Sequence, residues 1–200
     1  MGVLAVATAP ETEPLDLATV KLHLRLIADI DSEDDYTAED TLLTGWITAA
    51  RQVAEHETLL SLITTVWDYY LDEWPDDGYI ALPRPPLQSV DGVYYTFVDE
   101  DEAEYTDYTA DTASRPGRVV RDYNCTWPSG TYEPNNPIRI RFTAGFGDAA
   151  TDVPFNIRAG MLTLIAHWYE NRETTTPVSL SDVPMTAKTL FALNALKGSV

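Results

Sequence analysis

The chain has 200 residues, 44% of them apolar, with five Trp and eleven Tyr; this is enough to bury a core and too aromatic for a disordered acidic protein. Its formal net charge of −19 is uneven: residues 1–110 hold 24 of the 32 acids and 4 of the 13 bases, while residues 111–200 carry a net +1. Such a field repels nucleic acid and anionic membrane, so it argues against DNA reading and favours basic partners, or a surface along which DNA slides without sticking.

In chain order, residues 1–14 are small, Pro-containing and acidic, and read as a flexible or partner-ordered arm. Asp16 can cap a short helix in which Leu17, Val20, Leu24 and Ile27 make one apolar stripe, with Lys21 and Arg25 on another face. Asp29 to Asp40 is an acidic loop leading into a helix start, where Thr37 and Asp40 approximate a capping box. Leu43, Trp46, Ile47, Ala50, Val53 and Ala54 then keep helical spacing to about Leu60. Arg51 and Glu55, four apart, can pair across the exposed face for about 0.3–0.5 kcal/mol.

The pattern changes at Leu62, where β-branched and aromatic residues through Tyr70 predict a strand. Trp74 to Gly78 is a turn and Tyr79 to Leu82 a short strand. Pro83, Pro85 and Pro86 remove ladder donors and predict an extended crossing. Val90 to Val98 alternates as a strand. Asp99 to Asp107 holds six acids in nine residues and reads as a hairpin tip, with Tyr105 and Tyr108 on the return strand. Gly117 to Arg121 and Ile138 to Phe142 are further strands. After Gly145 and Gly147 a helix begins near Pro154, with Ile157, Met161, Leu164, Ile165, Trp168 and Tyr169 on one face. Thr174 to Asp182 reads as a linker, and Pro184 to Leu196 as a last short helix carrying Leu190, Leu193 and Leu196.

Several patterns invite chemistry and are better read plainly. Asp29 to Asp40 faintly echoes a calcium loop, but it lacks the mid-loop Gly and ends in Asp rather than Glu. Gly145-Phe-Gly147 resembles part of a dinucleotide fingerprint, yet the helix waits for Pro154 instead of opening at the glycines. His23, His56 and His167 fall on three separate helices, His56 and His167 as partly buried or rim residues, and no catalytic signature occurs. Cys125 is the single cysteine, so neither an intrachain disulfide nor a thiolate metal cage can form. Asn124-Cys125-Thr126 matches the glycosylation acceptor, a pattern common by chance. No signal-peptide pattern occupies Met1 to Pro14, and no apolar run nears the ~18–20 residues of a membrane span, which predicts a soluble protein made in a cytosol.

These segments, in this order, resemble the head–tail connector (adaptor, or head-completion) proteins of long-tailed bacteriophages and gene-transfer particles. The resemblance rests on Leu17-x-x-Val20-Lys21-x-x-Leu24-Arg25, the acidic loop, and Leu43-x-x-Trp46-Ile47-x-x-Ala50-Arg51-x-x-x-Glu55. It continues through Leu82-Pro-Arg-Pro-Pro86, Ala144-Gly-Phe-Gly147, Val153-Pro154 and Tyr169-Glu-Asn-Arg172, and so covers about 15–173. One departure is Glu57-Thr-Leu-Leu60, where members often carry Thr-Gly, which bears on where the second helix ends.

The resemblance implies an α+β fold: a helical core from 15–61 and 144–173, a β-rich insertion at 62–143, and a linker with docking helix at 174–200. The helical part comprises two N-terminal helices, then one long and one short C-terminal helix. It implies a homo-oligomeric ring, commonly of twelve copies, in the virion neck beneath the portal. Its partners are then the portal and a tail-side stopper or tail-terminator protein. DNA passes without specific binding, and no catalysis, cofactor, metal or membrane is involved. Arg115, Arg118, Arg121, Arg139 and Arg141 are the candidates to meet a neighbour's acidic surface, and Leu190, Leu193 and Leu196 to dock on the portal. Unassigned acids are the candidates to line the channel. The competing readings are an acidic DNA mimic that inhibits a basic protein, and a sugar-binding module using Trp67, Trp74 or Trp127. Halophilic adaptation gives the same acidic composition.

Overall fold

The computed structural model describes residues 2–27, 37–171 and 184–196. The acidic loop at 29–35 and the linker at 174–182 lie outside them. The chain is α+β, with four α-helices and two antiparallel sheets among the described residues, and it divides into two units.

The first unit comprises Met1–Glu11 and Thr64–Phe146 and holds every strand among the described residues. Its larger sheet has the order β1-β2-β8-β4-β5, from Val3–Thr8, Thr65–Leu71, Ile138–Ala144, Leu87–Tyr95 and Ala103–Glu104. The smaller has the order β3-β7-β6, from Tyr79–Ala81, Arg118–Arg121 and Tyr108–Asp111. β8 shows the period of two: Ile138, Ile140, Phe142 and Ala144 are buried, and Arg139, Arg141 and Thr143 face the other way. The buried side packs with Trp67, Val93 and Tyr105 and with Ile80 and Val119 of the smaller sheet, so both sheets share one core.

Three expectations for this unit are corrected. Val3–Thr8 is not an arm: its β-branched and small residues add a strand to the edge of the larger sheet, pairing Val3 with Tyr70 and Leu4 with Tyr69. The proline segment is bent rather than extended, with Arg84 in the left-handed region at φ 62° and its guanidinium over the Trp67 ring. Tyr105 and Tyr108 do not share a return strand: the chain leaves the larger sheet after β5, and Tyr108 opens β6 in the smaller one.

The second unit comprises Thr12–Ile63 and Gly147–Val200. Its helices are α1 (Leu17–His23), α2 (Asp40–Thr58), α3 (Phe155–Glu170) and α4 (Met185–Ala192). Asp16 caps α1 by accepting from the Thr19 amide at 2.6 Å. Lys21, off the apolar stripe, is nevertheless buried, and its ammonium pairs with Asp40 at 2.8 Å, joining α1 to the first turn of α2. α2 ends where Leu59 adopts φ 60°, and the Leu59 amide still bonds to Glu55. α3 buries Ile157, Met161, Leu164 and Ile165, and α4 packs on it through Ala187 and Phe191.

Arg51 and Glu55 also differ from expectation. Both are nearly buried, and Arg51 additionally binds Glu13 at 2.8 Å, while Glu55 accepts the Leu62 amide at 3.1 Å. The segment before α1, the middle of α2 and the chain leaving it are thereby held through one guanidinium. Of the two histidines expected to be partly buried or at the rim, His56 is exposed and His167 half-buried.

Candidate functional site

The residues that the sequence offers as candidates for assembly fall on three surfaces. The first is the outward face of the larger sheet, where strand register sets Val3, Tyr70, Arg139, Tyr94 and Glu104 in one cross-strand row. Ala5, Asp68, Arg141 and Gly92 form another row. Arg141 donates Nε and Nη2 to the two oxygens of Asp68 at 2.9 and 2.8 Å. Arg139 donates to Glu102 at 3.0 and 2.5 Å, reaches Asp68 at 3.5 Å, and lies 4.3 Å over the Tyr94 ring. The hydrogen bond from Arg141 holds the Asp68 carboxyl below its ordinary value against the opposing effect of burial; the charges of Arg141 and Arg139 assist. The same bond raises Arg141.

The second surface is the β6–β7 hairpin. Arg118 donates to Asp111 at 3.2 and 2.6 Å and to Ser114 Oγ at 3.0 Å. The Asp111 carboxyl is thereby held far below the usual range, first by the Ser114 hydroxyl and then by Arg118. Arg121 lies over the Trp127 ring, and Arg115 is exposed in the hairpin loop. The structure thus separates the five candidate arginines: two lie on β8, two on β7 and one in the loop before it. Arg118, Arg139 and Arg141 already have carboxylate partners within the chain.

The third surface is α4. Asn156 donates to the Leu190 carbonyl at 3.0 Å, and the Leu196 amide to the Thr58 carbonyl at 3.2 Å, so the segment is fastened to α3 and to the end of α2. Leu190 and Leu196 are half-buried. Leu193 is 71% and Met185 84% exposed, on the side away from Ala187 and Phe191. Leucine spacing alone missed the anchoring pair; the i, i+4 relation of Ala187 and Phe191 was the available signal. Gly160 is what lets Phe191 approach: a Cβ there would stand 2.6 Å from the ring.

Among the described residues, no group of three His, Cys, Asp or Glu is placed to hold a metal. Gly145 and Gly147 have φ of 142° and 156° and lead into a single 3-10 turn at Ala150–Asp152, so α3 does not open on them. Trp74 and Trp127 stack on each other at 4.6 Å and 8°, which occupies a face of each, and Trp74 donates to Tyr132. No described helix is long and apolar enough to cross a membrane.

No protein-family model matches the chain, and no curated protein sequence matches it. Solved structures do match over nearly the whole length. A chain in the neck of an empty gene transfer agent particle, computed with C6 symmetry, matches with a TM-score of 0.80 and 23% identity, covering 99% of this chain and 97% of that one. A chain in the virion of a native gene transfer agent particle gives 0.79 and 21%, with 99% and 97% coverage. One from the neck of the native particle computed with C12 symmetry gives 0.71 and 21%, covering 98% of each chain. The fold is therefore that of chains found in the necks of gene transfer agent particles.

Proposed function

We propose that this protein is a structural adaptor of a virion neck. Twelve copies form a ring below the portal, join the DNA-filled head to the tail, and extend the channel through which DNA passes. The observation that carries this reading is the likeness to neck chains across nearly all of both chains, with both units included. The acidic charge fits a channel wall that repels DNA, and exposed acids among residues 1–110 supply that wall. Its partners are neighbouring copies, the portal and a tail-side stopper or terminator, and it is made in the host bacterial cytoplasm before joining the particle. It works by assembly, without catalysis or cofactor.

Within that role, Arg115 is the candidate arginine most available to a neighbour's carboxylates, because Arg118, Arg139 and Arg141 are engaged within the chain. Arg115→Glu should weaken ring formation and leave unfolding unchanged within about 0.5 kcal/mol. The terminal segment, with Leu190, Leu193 and Leu196, docks on the portal, and Leu193 and Met185 present its exposed apolar side. A pull-down with the portal tests this. Met185→Asp with Leu193→Asp should abolish capture while thermal unfolding stays as in the parent; undiminished capture contradicts the assignment.

A further inference from the structure

The larger sheet ends in β1 and the smaller in β3, each with one open side, and β3 borders a cleft of about 510 Å³ that Gly2, the residue before β1, also lines. Gly2 and Leu71 line it at the β1–β2 end of the larger sheet, and Tyr79 and Ala81 of β3 line it from the smaller. Between them the β2–β3 loop contributes Glu73, Asp76 and Asp77, all exposed and without an ion-pair partner among the described residues.

An edge strand turns about half of its amides and carbonyls away from its neighbour, and proteins guard such edges with charge, proline or shortness. β1 has none of these three; its one guard is the register shift between Val6 and Thr8, which leaves Val3 to Val6 in regular pairing. Its six residues, Val3-Leu-Ala-Val-Ala-Thr8, contain no charge and no proline, and Val3 and Val6 are more than half exposed. In a chain with 32 acids, the first ten residues hold none. The opposite edge of the same sheet is guarded: β5 has two residues and follows the acid-rich loop.

We propose that the open side of β1 receives an extended, lysine- or arginine-bearing segment of a different protein, which adds as a sixth strand and sets its cationic side chains against Glu73, Asp76 and Asp77. Charge decides the occupant. A second copy brings a further net −19, and three of its strand-borne arginines are already paired with its own carboxylates. A basic chain gains from the carboxylates at the cleft while its backbone completes the ladder. This site does not depend on ring formation.

The test uses the full chain and an end-capped peptide of alternating valine and lysine, read by titration calorimetry and by hydrogen exchange. The peptide should bind and slow exchange at Val3–Thr8. Neutralising the cleft with Glu73→Gln, Asp76→Asn and Asp77→Asn should weaken binding about tenfold. The control set Asp99→Asn, Glu100→Gln and Asp101→Asn removes equal charge elsewhere and should change it less than about twofold. Val6→Lys, a guard at an exposed position, should remove the protection of β1. Equal losses in the two triple variants would reduce the binding to general charge attraction and overturn the proposal. Absence of protection at β1 would overturn it too, as would protection that rises with protein concentration and no peptide, since the occupant is then a second copy.

Discussion

Asp68 carries more of the larger sheet's polar face than any neighbouring acid, because both β8 arginines reach it from one side. Its carboxyl is held below the ordinary 3.8, so its contribution is complete above that value and is lost as pH falls through the lower folded value. Asp68→Asn should cost about 2 kcal/mol at neutral pH, the loss of hydrogen bonds to a charged group. In paired denaturant titrations the gap between parent and variant should close with acidification through that window; a gap independent of pH contradicts the assignment. A strand through Tyr70 was legible, but the partners of Asp68 depend on β2–β8 register, which is set by long-range pairing and not by local pattern. Gly160 shows the same limit. Nothing near it in the chain announces Phe191, yet the ring fills the space a side chain would need. Gly160→Val should cost about 2 kcal/mol and release exchange protection in α4 before α3.

At the scale of elements, helices were the most legible, since a buried stripe every three or four residues survives in sequence: α2, α3 and α4 lie where Leu43 to Ala54, Ile157 to Leu164 and Pro184 onward place them. Polar groups inside the helical unit were not legible. Arg51 and Glu55 looked like a solvent pair because Glu13, which shields them, comes from a segment without periodicity. Arg51→Met removes the guanidinium that Glu13 and Glu55 share and should cost about 3 kcal/mol, measured by chemical unfolding. Adding Glu13→Gln and Glu55→Gln should recover part of the loss. β1 escaped notice for a related reason: six small and β-branched residues beside prolines and acids read as an arm, and only pairing with β2 makes them a strand.

For the whole molecule, composition speaks through charge. A net −19 concentrated in residues 1–110 opposes nucleic acid binding, yet the larger sheet uses its arginines to hold its own carboxylates in place. In the proposed ring, assembly would rest on heterologous surfaces, for which the exposed side of α4 and the Arg115 loop are the candidates. The most direct measurement is electron microscopy of this protein mixed with the portal of the same particle, beside the protein alone. The account predicts a twelve-fold ring seated on the narrow end of the portal, with α4 at the contact. A monodisperse protein that leaves the portal bare would contradict it.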